Sequence, residues 1–237
     1  MTQFTSLIER ISVTFLAGIS NGQGWYDWWE KQTTPHSSQN PQGLPPIGIA
    51  MMGRSNVGKS TLINLLFKKG MARSSKTPGK TKEINIFCFH LTSHPKQKFF
   101  VYDLPGHGHA QVSKDQKRQW DELLQAFFMV VTPWTLGVEI RDARHMEAPS
   151  DMAFEEFMKQ LPMELILVAN KIDALKNQKE KHEFKLNYEK IITNSRWKSV
   201  FQCSQDHIEL QQTLAQYLGH FCLRKLMAQN HHPMSEK

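Results

Sequence analysis

Gly53-Arg54-Ser55-Asn56-Val57-Gly58-Lys59-Ser60 fits the pattern G-x-x-x-x-G-K-[ST], a glycine-framed turn leading into a helix that starts near Thr61. Such a turn grips phosphate. Glycine lets consecutive N–H groups point inward where a side chain would clash, and the helix N-terminus adds partial positive charge. Lys59 can reach the β- and γ-phosphates and serve hydrolysis by offsetting charge, while the Ser60 hydroxyl can ligate Mg²⁺. The loop alone does not separate ATP from GTP.

Asn170-Lys171-Ile172-Asp173 follows the apolar run "ELILVA". A carboxylate at 173 can accept hydrogen bonds from guanine N1–H and the N2 amine together, a donor pair that adenine lacks. Sites built on matched polar groups discriminate by ~10⁴–10⁵, so Asp173 is expected to choose guanine. Asn170 would brace the pocket and the Lys171 stem would lie along the ring. Asp103-Leu104-Pro105-Gly106 ends another apolar run. Asp103 suits an acid that holds Mg²⁺, directly or through water, and the Gly106 N–H can face the γ-phosphate. In "TPGKT", Thr81 offers a second hydroxyl to Mg²⁺, with Thr77 its close competitor.

In order, "GRSNVGKSTLIN", "SKTPGKTKEIN", "DLPGHGHA", "RDARH" and "NKID" resemble the EngB (YihA/YsxC) family of the TrmE-Era-EngA-EngB-Septin class of GTPases, over roughly residues 47–227. The resemblance implies nucleotide contacts from Gly53 to Ser60, at Gly79, Lys80, Thr81, Lys82 and Glu83, from Asp103 to Gly106, and from Asn170 to Asp173. It implies Mg²⁺ held by Ser60 and Thr81. It also implies a base-contacting loop near Gln202-Cys203-Ser204, where the match is loose. The family is associated with assembly of the large ribosomal subunit and with normal cell division and septation. The expected protein is thus a slow GTPase switch, monomeric and cytoplasmic, with the large subunit or its rRNA as partner. The alternatives are a division-linked GTP-binding interaction protein with incidental hydrolysis, or a P-loop ATPase or kinase.

Three features depart from the family. The amino-terminal arm with its tryptophans is longer. Glu139 and Arg141 stand in the strand before "RDARH", usually apolar, and suggest a more exposed strand. His107 and His109 replace two tyrosines. Ras-like proteins orient the attacking water with a glutamine directly after the motif's glycine, and translational GTPases are similar to this chain in carrying histidine there. His107 is therefore a candidate for aligning water, against the plainer and favoured reading of a solvent-exposed loop histidine. Asn56 offers an oxygen that could ligate K⁺ where an arginine finger acts elsewhere; relatives with "NVGKS" include potassium-activated enzymes.

These residues need elements to hold them. "IGIAMM", "INIFCFHL", "KFFVYDL", "LGVEI", "ELILVA" and "KSVFQC" read as strands, the second and third forming a hairpin. Between and after them run helical segments: one ending at Gly70, one behind Ser113, one behind Ser150, a charged one over "KNQKEKHEFKLNYEKII", and a closing one over "IELQQTLAQYLGHFCLRKLM". This alternation predicts an α/β, three-layer P-loop NTPase fold of the Ras-like kind. Its sheet would be six-stranded and mostly parallel, with one antiparallel edge strand and helices on both faces. Ligands of such sheets sit at the strands' carboxyl ends. The expected division is an aromatic arm and linker over 1–46, a GTPase domain over 47–227 and a flexible tail over 228–237.

The bulk numbers agree. The 237 residues suffice for one α/β domain, 22% charged residues fit a globular protein, and no run approaches the ~18 apolar residues of a membrane-spanning helix. Cys88, Cys203 and Cys222 lie far apart, as expected of a reducing compartment. The net charge of +7 favours a polyanionic partner such as RNA.

Overall fold

The computed structural model describes residues 8–35, 42–67, 83–107, 114–194 and 197–231. Four strands carry the phosphate and base motifs at their carboxyl ends: β2 (Gly48–Gly53), β4 (His94–Asp103), β5 (Thr135–Asp142) and β6 (Glu164–Asn170). They are parallel to one another, and β7 (Ser199–Gln202) continues them beside β6. β2, β5 and β6 are buried almost throughout, as strands covered on both faces must be.

β3 (Ile84–Leu91) pairs antiparallel with β4 through a tight turn at Thr92 and Ser93, which forms the expected hairpin. The sheet does not end there. β1 (Ile8–Ile19) adds antiparallel to β3, giving seven strands in the order β1-β3-β4-β2-β5-β6-β7. The arm thus supplies one strand more than the sequence leads one to expect, and the antiparallel strand is the second rather than the edge. Val13, Phe15, Ala17 and Ile19 alternate with Thr14, Leu16 and Gly18, a weak period-two signal within what reads as a leader to the domain.

Helices cover both faces. Alternate residues of β2 divide between them: Ile49 and Met51 face α2 (Lys59–Leu66) and α6 (Ile208–His231), whereas Ala50 and Met52 face the opposite layer. That layer holds α1 (Gly22–Thr33), α3 (Lys114–Val131), α4 (Pro149–Met158) and α5 (Gln178–Asn194). The arm's α1 is capped by the Asn21 side chain and inserts Trp25, wholly buried, between Tyr102 and Phe127, with ring centroids at 5.6 and 4.8 Å. Trp28 completes the cluster against Phe100 and Tyr102.

Two boundaries differ from expectation. α4 starts at Pro149, whose fixed φ suits the first helical turn, so Ser150 lies inside the helix and does not cap it. α6 continues past residue 227 to His231, and its Gln229 donates to the Pro45 carbonyl at 2.6 Å. The caps expected at Gly70 and Ser113 lie outside the described residues.

Candidate functional site

β2 delivers the chain to Gly53, and the turn that follows needs unusual backbone angles. Gly53 has φ 147°, Asn56 66° and Gly58 96°. A Cβ on Gly53 would meet the Ile140 carbonyl oxygen at 2.5 Å, and one on Gly58 would strike the Asn170 amide. Only glycine fits at either place, which is the physical content of the motif's spacing. α2 then starts at Lys59 with no side-chain cap, leaving its first N–H groups toward the turn.

Lys59 is buried and its ammonium contacts the Asp103 carboxylate at the end of β4. Ser60 is half-buried one residue on. Leu104 N donates to the Met51 carbonyl at 3.2 Å, and a Cβ on Gly106 would sit 2.8 Å from Ser55 Oγ, so the D-x-P-G loop runs against the phosphate turn. Gly79, Lys80, Thr81 and Lys82, and the competing Thr77, lie outside the described residues. Glu83 is described and exposed, next to the root of β3.

The base motif meets the same turn. Asn170 Nδ2 donates to the Val57 carbonyl at 2.9 Å, and Lys171 Nζ reaches the Asn56 carbonyl. Lys171 adopts φ 64°, which throws its side chain across the turn. Gly58, Thr61, Leu62, Leu65, Asn170, Lys171, Asp173 and Gln205 line a cleft of about 230 Å³, with exposed Asp173 at its mouth. Ile172 is half-buried, and its N–H donates to the Cys203 carbonyl at 3.3 Å.

The loop after β7 therefore packs against the motif, but its contribution to the cleft is Gln205, one residue beyond the expected Gln202-Cys203-Ser204. Cys203 and Ser204 are fully buried, and burial pushes the Cys203 thiol up to about 11. Ser204 holds the loop in shape, its Oγ accepting from Asp206 N and its carbonyl from Gln211 Nε2.

Asp142, at the end of β5, is a residue that motif reading missed. It accepts from Lys171 Nζ at 3.1 Å and from Arg144 Nε and Nη2 at 2.8 and 2.6 Å. Its signal was "RDARH", quoted as a family marker without a role.

Two expectations are overturned. Glu139 and Arg141 do not mark an exposed strand: they are 1% and 0% exposed. His107 is not an exposed loop residue either. It is 6% exposed, its ring stacks on Phe154 at 4.3 Å, and Nε2 lies 3.5 Å from Glu139 and 3.9 Å from Asp151 on α4. Asp151 in turn takes both oxygens to Arg54 Nε at 2.8 and 2.9 Å. Burial, then the Glu139 charge, raises the Asp151 carboxyl above its ordinary value despite that arginine.

A profile of the family described as 50S ribosome-binding GTPase matches residues 48–171, just over half of the chain. The chain is 40% identical over 134 residues to a probable GTP-binding protein EngB of Natranaerobius thermophilus, covering 56% of this chain and 66% of that one. It is 35% identical over 141 residues to that of Oceanobacillus iheyensis, covering 59% and 68%. It spans about two thirds of the length of such relatives. Among solved structures, a probable GTP-binding protein engB superposes with TM-score 0.50 at 23% identity, over 75% of this chain and 99% of that one. Era in complex with MgGDPNP and nucleotides 1506–1542 of 16S ribosomal RNA superposes with TM-score 0.55 at 23% identity, over 72% and 56%. Both show the same three-layer P-loop fold. With the phosphate turn, the D-x-P-G loop and the N-K-x-D motif gathered around one cleft, the chain belongs to the EngB family of P-loop GTPases, proteins that bind GTP and split it to GDP and phosphate.

Proposed function

We propose that this GTPase is a slow switch for assembly of the large ribosomal subunit, working in the cytoplasm as a monomer, with its link to division and septation following from that role. The observation that carries the nucleotide reading is the cross-tie between motifs. Asn170 and Lys171 both bond to carbonyls of the phosphate turn, so a base at Asp173 and phosphates at Gly53–Ser60 would be read by one rigid unit. Asp173 would accept from guanine N1–H and the N2 amine, the Lys171 stem would flank the ring, and Gln205 would close the far side of the cleft.

Mg²⁺ fits the donors present. Ser60 offers a hydroxyl, Asp103 a carboxylate already paired with a cation, and Thr81 is the proposed second hydroxyl. Bound there, the ion would polarise the phosphate oxygens. Lys59 would exchange Asp103 for the phosphates and offset charge building in the transition state, while the Gly106 N–H would face the γ-phosphate. His107 is turned into the cluster beneath α4, so aligning water would require its ring to leave Phe154. Hydrolysis without a supplied arginine finger is expected to be slow. Asn56, exposed at the rim of the turn, is proposed to ligate K⁺; equal single-turnover rates in K⁺ and Na⁺ would remove that role.

The ribosomal part is supported by the description of the matching family and by the net charge of +7. Sedimentation of GTP-loaded and GDP-loaded protein with purified subunits tests it. Co-migration with the large subunit in the GTP form alone, weakening as salt rises, is expected. Absence of co-migration at low salt would favour a division-linked interaction protein instead.

A further inference from the structure

Two of the family departures, His107 and the Glu139–Arg141 pair, meet in one place. His107 after the D-x-P-G loop, Glu139 on β5 and Asp151 on α4 each offer a ligand-type atom, all within 4.8 Å of one another and all buried. The cluster lies apart from the lining of the base cleft. Both ring nitrogens of His107 and both carboxylate oxygens of Glu139 make no hydrogen bond among the described residues. Buried polar atoms rarely go unsatisfied, so this concentration needs a reason.

Distance separates a shared proton from a shared ion. His107 Nε2 stands 3.5 Å from Glu139 and 3.9 Å from Asp151, too far for N–H···O bonds of about 2.7–3.2 Å. Ligand atoms bound at ~2.0–2.2 Å to one tetrahedral ion lie about 3.3–3.6 Å apart. The 3.5 Å separation falls in that range, and the 3.9 Å one would close by a few tenths of an ångström around an ion.

Charge points the same way. Three carboxylates, Glu139, Asp151 and Glu155, face two guanidiniums, Arg54 and Arg141, with the Lys159 ammonium 3.8 Å from Glu155 at the outer edge. Arg54 is bonded to Asp151 and Arg141 to Glu155, each at 2.8 Å, but Arg141 stays 3.7 Å from Glu139. Glu139 is the carboxylate held only at ion-pair distance, with no hydrogen bond to either oxygen among the described residues, and buried charges are paired or bind metal. The guanidiniums are then placed to steady the carboxylates from outside, as outer groups do around metal ligands.

We propose that His107, Glu139 and Asp151 form a binding site for a divalent transition ion of the zinc or manganese kind, distinct from the Mg²⁺ of the nucleotide. One imidazole with two carboxylates suits such borderline ions, whereas Mg²⁺ prefers oxygen and water. His107 is one residue past Gly106, and its N–H donates to the Gly53 carbonyl at 3.3 Å. An ion there fastens the D-x-P-G loop to β5 and α4.

The test is equilibrium dialysis of the full chain against zinc sulfate and, separately, manganese chloride, with GDP and excess Mg²⁺ present and metal content read by atomic emission. One ion per chain is expected for the wild type. Glu139→Gln and His107→Gln should each weaken binding by at least tenfold, while Glu139→Gln keeps its GDP affinity. Co²⁺ should give the wild type visible absorption bands that Glu139→Gln lacks. No stoichiometric ion in the wild type overturns the proposal, as does metal retained undiminished by both variants, which would place it on other histidines. Should Glu139→Gln fail to bind GDP, wild-type stoichiometry and His107→Gln decide.

Discussion

The Asp142 carboxylate holds the Lys171 ammonium at 3.1 Å while Arg144 grips the same carboxylate at 2.6 and 2.8 Å. Lys171 also reaches the Asn56 carbonyl, so Asp142 sets the lysine's position between base motif and phosphate turn. Burial alone would raise the Asp142 carboxyl, but the hydrogen bonds from Arg144 and Lys171 outweigh it and bring it from 3.8 down to about 2. A depressed carboxylate stabilises the fold above its unfolded value, and that contribution is lost as pH falls through its folded value. Asp142→Asn should cost on the order of 1–2 kcal/mol at neutral pH, by urea unfolding, with the gap to wild type closing between about pH 4 and 2. Its GDP affinity should fall roughly tenfold, about 1.4 kcal/mol. Unaltered GDP affinity would mean that Lys171 needs no holder.

Asp173→Asn exchanges an acceptor pair for one acceptor and one donor. Guanine then meets an N–H where it offers its own N–H, while xanthine, with a carbonyl at position 2, becomes the better match. GDP affinity should drop by ~10³-fold or more and XDP affinity should rise above it, by competition against a fluorescent nucleotide. The fold should be unaffected, since Asp173 is exposed.

Gly58→Ala separates fold from ligand. The backbone at φ 96° is strained for alanine and the new methyl meets the Asn170 amide, which must give way. Loss of GDP binding by at least a hundredfold is expected in calorimetry. The accompanying stability loss should be only about 1–3 kcal/mol.

Trp25→Ala probes the arm. Its wholly buried indole packs on Trp28, Tyr102 and Phe127, and removing a buried aromatic of this size costs about 3–5 kcal/mol. Unfolding should shift to lower denaturant in a single transition, because the tryptophan shares its cluster with the sheet. A two-step transition would mean that the arm folds apart from the sheet.

Some of this was legible beforehand, and the reasons are local. Gly53, Gly58 and Lys59 announce themselves because the chemistry dictates both residue type and spacing. β2 and β6 read as buried strands because continuous apolar runs have few other uses. Glu139 and Arg141 misled because one strand in isolation gives charge the meaning of exposure. Their partners, His107, Asp151 and Glu155, come from a loop and a helix whose packing no local pattern encodes. β1 escaped for a related reason: its alternation is weak, and its pairing depends on β3, some seventy residues away. Gln205 was missed by a single step, since the loop after β7 is fixed by the buried Ser204 and not by a motif.

The final rung between β1 and β3 joins Ile19 to Ile84, immediately after the segment that carries Thr81. The arm is therefore moored to the first residue of β3. A shortened chain beginning near Leu44 would retain the phosphate turn, the D-x-P-G loop and the base reader, yet it would leave the flank of β3 bare along its whole length.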